Sequence, residues 1–154
     1  MSKTFASLSD FADYLSLILS REEKFRLTFL DAVGRHVKDE SKRKFGIYQD
    51  TQGPFVEWAE LAESTQEQRE RLGFSPNDPL YRTGGLMESV HYKVNNIFVS
   101  IGSNDPIMVY QELGTIHIPP RSVLGAAMWG SKDYIIKTLN VSIAGWLLNK
   151  TVTI

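Results

Sequence analysis

The chain is predicted to form one α+β domain, with N-terminal helices, a small antiparallel sheet built on a β-hairpin, and a C-terminal helix. Three observations point there. Apolar residues recur at four-residue intervals through Phe25, Phe29, Val33 and Val37, the mark of a helix with one buried stripe. The period then falls to two across Val90, Tyr92 and Val94, and again across Ile97, Val99 and Ile101. Helical spacing returns at Ile135, Leu139, Ile143 and Trp146. A length of 154 residues fits a single domain, residues 1–154, able to bury roughly two-thirds of its unfolded surface. Within it, 1–45 is a helical part and 57–154 carries the motifs described below.

The elements follow in order. Ser7-Leu8-Ser9-Asp10 offers side-chain oxygens to cap a short helix with Phe11, Tyr14, Leu15 and Ile18 as its apolar residues. The second helix is expected from about Arg21 to Lys44, with Gly46 ending it in a left-handed conformation. Its basic end, Arg35, Lys38, Lys42, Arg43 and Lys44 against Asp39 and Glu40, complements the negative end of the helix dipole. Residues 46–54 read as a loop. A third helix is expected from about Glu57 to Leu72, bearing Trp58, Leu61 and Thr65 on one face and glutamates on the other. Pro76 and Pro79 prevent its continuation. Asn95-Asn96 is placed as the two-residue turn of the hairpin, because Asn tolerates a positive φ. Ile107 to Leu113 suits a short helix closed by Gly114. Thr115 to Ile118 reads as extended, running into Pro119-Pro120. Ser131 is expected to cap the last helix, and Thr151 to Ile154 to pair as an edge strand.

Composition narrows the chemistry. Seventeen basic against eighteen acidic residues give a net charge of −1, so no global field favours nucleic acid or membrane. No cysteine is present, which excludes disulfides, thiolate zinc sites and cysteine nucleophiles. No apolar run approaches the roughly 20 residues that span a bilayer, and no signal peptide is visible at Met1-Ser2-Lys3. The expectation is a protein made in the cytoplasm.

Catalytic templates lack residues at usable spacing. His36, His91 and His117 fall in different predicted elements, with no metal-ligand pair around them, so no metal and no cofactor is expected. Glu22-Glu23 and Asp39-Glu40 are adjacent on helices, so the members of each pair diverge. Glu112 alone lies inside an apolar stretch. A hydrogen bond or ion pair, to Arg121 or to another subunit, explains it more simply than general-base work. Trp58, Trp129 and Trp146 are expected in the core.

Several short motifs remain, in a fixed order. Trp58-x-x-Leu61-x-x-x-Thr65 precedes Leu80-x-x-Thr83-Gly84-x-Leu86-x-x-Ser89. Gly102, then Tyr110-x-Glu112-x-Gly114, then Pro119-x-Arg121-x-x-Leu124-Gly125 follow. This set resembles the phage virion morphogenesis family, which includes tail completion proteins, within the wider group of head–tail joining and minor tail components. The resemblance covers roughly Trp58 to Leu139. It departs from the family at Ser122-Val123, where an aromatic is usual, and in the Glu- and Gln-rich segment after Trp58.

The resemblance implies a non-enzymatic virion protein of a tailed bacteriophage, completing or terminating the tail at the head–tail neck. By this analogy it forms a homo-oligomeric, hexameric ring around the DNA passage. Its partners would be the head connector and the tail tube, with genomic DNA passing the lumen unread and no membrane contact. A small hydrolase using Glu112 and His117, or a nucleic-acid-binding protein using Lys42, Arg43 and Lys44, is the alternative. The expected subunit interface is an arm projecting between Gly114 and Gly125. There Ile116, Ile118 and Val123 would supply apolar contact, Pro119 and Pro120 stiffness, and Arg121 and Glu112 ion pairs. Trp58, Leu61, Thr65, Thr83, Gly84, Leu86 and Gly114 are the structural motif positions.

Overall fold

A computed structural model describes residues 4–148, in which seven helices surround one two-stranded antiparallel sheet. The order is α1 (Leu8–Leu19), α2 (Glu22–Lys42), α3 (Glu63–Arg71), α4 (Gly85–Glu88), β1 (Val90–Val94), β2 (Val99–Ser103), α5 (Pro106–Leu113), α6 (Leu124–Gly130) and α7 (Lys132–Leu147). The α+β class is as read from the periodicities. The edge strand expected at Thr151–Ile154 lies outside the described residues.

The long helix α2 organises the molecule. It packs against both strands of the hairpin and against α6 and α7. Val33 and Val37 are buried there with Ala127, and Phe29, Val99, Ile101 and Ile135 close around them. Gly34 lets the hairpin approach, since a Cβ on it would lie 2.7 Å from Val99 Cγ2 and closer still to the Tyr92 ring. A second core joins Phe45, Trp58, Val90, Met108 and Val123. At the far end, α1 is tied to α7 by a 2.9 Å bond from Trp146 Nε1 to the Ile18 carbonyl, beside a stack of Trp146 on Phe25.

Local chemistry set several boundaries. Ser7 caps α1 by accepting the Asp10 amide, and Asp105 with Pro106 starts α5. Gly46 and Gly114 both adopt positive φ, as expected of them. The second helix is shorter than expected, and residues 43–45 continue as tighter turns.

Four expectations are corrected. The third helix begins at Glu63, not Glu57, because the Trp58 amide bonds the Gln49 carbonyl and the Leu61 amide bonds the Tyr48 hydroxyl. Those long-range partners replace the intrahelical bonds, and Trp58 and Leu61 sit on an extended segment. The hairpin pairs Val94 with Val99, and the Asn95 amide bonds the Phe98 carbonyl, so Asn96-Ile97 forms the turn. Leu80 is the one described non-glycine residue with positive φ, so neither asparagine takes that conformation. Thr115 to Ile118 is a tight turn rather than a strand: the Thr115 hydroxyl accepts both the His117 and Ile118 amides. Ser131 sits between α6 and α7, and its hydroxyl donates back to the Ala127 carbonyl instead of capping α7.

Candidate functional site

The motif residues meet in two adjoining places, a carboxylate-centred joint and an open cleft. The joint forms where α5 ends. Glu112, next to last in α5, reaches the start of α6 and accepts four hydrogen bonds. Ser122 Oγ donates at 2.5 Å, and the amides of Val123, Leu124 and Gly125 donate at 2.8, 3.0 and 2.7 Å. The first amides of a helix lack intrahelical partners and carry its positive dipole end, so a carboxylate there is doubly favoured. No side chain of the α6 N-terminus itself caps it. Glu112 supplies the cap from another helix. The sequence singled out this acid correctly but missed its partners, because a cap from ten residues upstream follows no local spacing rule.

The same joint folds the 114–125 segment back on α5. The Arg121 amide bonds the Gln111 carbonyl at 2.6 Å, and a Cβ on Gly114 would lie 2.9 Å from the Pro120 nitrogen. The expected projecting arm is therefore a folded-back loop. Val123 is completely buried in the core, and Arg121 is buried with its guanidinium on the Ala59 and Glu60 carbonyls. Both belong to the interior of the monomer, so neither is free to contact a neighbour as expected. Arg121 also forms no pair with Glu112. Ile116 stands at the loop tip with 94% of its surface exposed, Pro119 and Pro120 are exposed, and Ile118 is half-buried.

Beside the joint lies a half-open cleft of about 490 Å³. Its walls include Leu61, Thr65, Thr83, Gly84, Leu86 and Arg121, six positions from three separate segments of the motif set. Trp58 lies beneath, in the core with Val90 and Val123. Gly84 takes a positive φ of 83° to turn the chain into α4, which explains a glycine at that place. Nothing in the sequence alone signalled a cavity here.

The remaining candidates separate. His36 stacks on Tyr134, His91 Nδ1 donates to the Ser89 carbonyl, and His117 is exposed. No group of three or more His, Asp or Glu among the described residues could hold a metal. The basic end of α2 is locally engaged: Lys42 pairs with Glu88 at 2.9 Å, Arg43 pairs with Glu40, and buried Lys44 bonds Gln49 and Gln52. Burial lowers the Lys44 pKa, with Glu40 opposing. Of the tryptophans, Trp58 is core as expected, while Trp129 is 41% exposed beneath the Lys132 ammonium. No helix among the described residues is long and apolar enough to cross a membrane.

No protein-family model, curated protein or solved structure matches the chain.

Proposed function

We propose that this chain is a structural protein of a tailed-phage virion, completing or terminating the tail at the head–tail neck as a ring of identical copies. One observation carries the reading. The residues of the resemblance, spread from Trp58 to Gly125, come together as one unit: Trp58 in the core, Leu61, Thr65, Thr83, Gly84 and Leu86 around one cleft, and Glu112 bonded to Gly125. The uncharged outer face of α5 agrees with an assembling protein: Ile107, Val109, Tyr110 and Leu113 are each at least half exposed, continuing into Ile116. Contiguous exposed apolar surface of this kind marks an association site. Solution mass of the purified protein, followed by its position in intact particles, tests the reading. A closed ring between head and tail is expected, and particles lacking the protein should separate into filled heads and free tails. Infectious virions assembled without it would overturn the proposal.

A further inference from the structure

The cleft holds an excess of positive charge, three arginines against one acid. Arg69, Arg82 and Arg121 all line it, and none forms an ion pair among the described residues. Arg69 donates to the Asp78 and Tyr81 carbonyls, and Arg82 lies over the Phe74 ring. Arg121 is 5% exposed and meets only neutral carbonyl oxygens. Its bonds run from Nε and Nη2, leaving Nη1 for another acceptor. The single acid on the wall, Asp105, spends Oδ1 on the Ile107 amide. A buried cation is ordinarily matched by an anion, because its desolvation is otherwise uncompensated. Burial lowers the Arg121 pKa, opposed by Tyr48 and reinforced by the nearby Arg69 charge.

Five apolar side chains share the wall, Leu61, Leu80, Leu86, Ile107 and Ile118, with the neutral polar groups of Thr65, Gln68, Thr83 and Gln111 among them. A free phosphate would gain the arginines but nothing from the apolar side chains. Gln111, also on the wall, has a buried amide oxygen without a donor. A rotation of that amide would meet an N–H entering with the ligand. Together these features ask for an anion, an apolar stem and a hydrogen-bond donor in one chain.

We propose that the cleft is a docking site for a polypeptide segment that inserts an aspartate or glutamate side chain, flanked by apolar residues, against Arg121 and Arg82. The carboxylate takes the remaining Nη1 donors of Arg121 and the guanidinium of Arg82, charge-assisted bonds from both. Its apolar neighbours lie along Leu61, Leu86 and Ile118. The cleft is half-open, as an inserted segment requires. This assignment does not depend on the ring reading, since any acidic partner segment satisfies it.

The test uses the full chain, immobilised, and two pools of N-acetylated, C-amidated octapeptides with randomised flanks. One pool fixes Glu at its centre and the other Gln. Retention of the Glu pool at least tenfold over the Gln pool is expected, with apolar residues enriched beside the acid. Arg82→Gln, an exposed position whose replacement keeps the fold, should reduce that retention at least tenfold with an unchanged thermal midpoint. Methyl NMR signals of Leu61, Leu86 and Ile118 should shift on adding the best-retained peptide. Equal retention of the two pools overturns the proposal. So does displacement of the peptide by inorganic phosphate or 4-methylpentanoate at concentrations comparable with its own, which would assign the cleft to a free anion.

Discussion

The Glu112 carboxylate and the Leu124 amide are joined at 3.0 Å across eleven intervening residues, so the end of α5 caps the start of α6. The bond is one of four on the same carboxylate, and three come from consecutive amides. Helix α6 in turn carries Ala127 into the core beneath α2. A single side chain therefore connects the loop geometry to the main packing interface. Glu112→Gln keeps one acceptor oxygen but turns an NH2 group toward amide donors. The expected loss is about 1.5–3 kcal/mol, the range for hydrogen bonds to a charged group. Urea unfolding should show a lower midpoint with an unchanged slope. A double-mutant cycle with Ser122→Ala should show coupling between the two residues. An undisturbed midpoint would mean that the cap does not hold α6.

Arg121→Ala should destabilise the monomer by roughly 2 kcal/mol, because it removes three charge-assisted bonds to the Ala59 and Glu60 carbonyls. Those bonds anchor the extended segment that carries Trp58 to the 119–125 loop. Arg121→Lys should recover only part of the loss, since an ammonium cannot span both carbonyls with the same planar fork. Denaturant midpoints at low protein concentration separate this effect from any association.

Gly34→Ala tests the contact between α2 and the hairpin. Alanine favours a helix interior by about 1 kcal/mol over glycine. Here its Cβ would press on Val99 Cγ2 at 2.7 Å and on the Tyr92 ring, whose hydroxyl is held by Asp31 at 2.8 Å. Overpacking of this kind costs about 1–3 kcal/mol, so the net change should be destabilising. A rise in thermal midpoint would show that the hairpin can retreat without loss.

Periodicity made the elements with an uninterrupted buried stripe legible: α2 through Val33 and Val37, and the alternation that sets the hairpin. Gly34 lies within that same stripe, yet its role is invisible without knowing which element packs on it. The same limit applies to Trp58, whose amide is taken by Gln49 from a separate loop, so a helix-like run of residues is extended. Helix α6 was hidden because its cap belongs to α5. The cleft was hidden because its walls come from segments that no spacing rule connects. Residue types pointed to Glu112 and Arg121 as special, and tertiary partners decided what each does.

Asp31 predicts an acid-sensitive contact between α2 and β1. The Tyr92 hydroxyl first, and then Arg35, lower its carboxyl below the ordinary 3.8, against a smaller desolvation effect. A carboxylate with a depressed folded pKa contributes stability that is present above the unfolded value and lost as pH falls through the folded one. The contribution is therefore intact above about pH 4 and disappears below it. Because Asp31 is substantially solvated, screening limits it to about 0.2–1 kcal/mol. Tyr92→Phe should flatten the stability profile below pH 4 relative to the unaltered chain. Equal slopes for both proteins would remove Asp31 from the acid response.

The outer face of α5 should decide whether the chain forms rings. Leu113 is 75% exposed and Ile116 is 94% exposed, yet neither contributes to either core. Replacing both with Ser should leave the monomer within about 0.5 kcal/mol of its original stability, as expected for surface positions. Burying one such side chain stabilises an interface by roughly 1.5–3 kcal/mol, so losing two should weaken association by about a hundredfold or more. If the chain assembles as proposed, sedimentation of the Leu113→Ser, Ile116→Ser double variant should show monomers at concentrations where the unaltered chain forms its ring. Arg43→Gln, on the exposed basic end of α2, provides the control, since its loss leaves the α5 face untouched. If the double variant assembles as readily as the control, the contact between copies lies elsewhere, and the exposed α5 face serves a different partner.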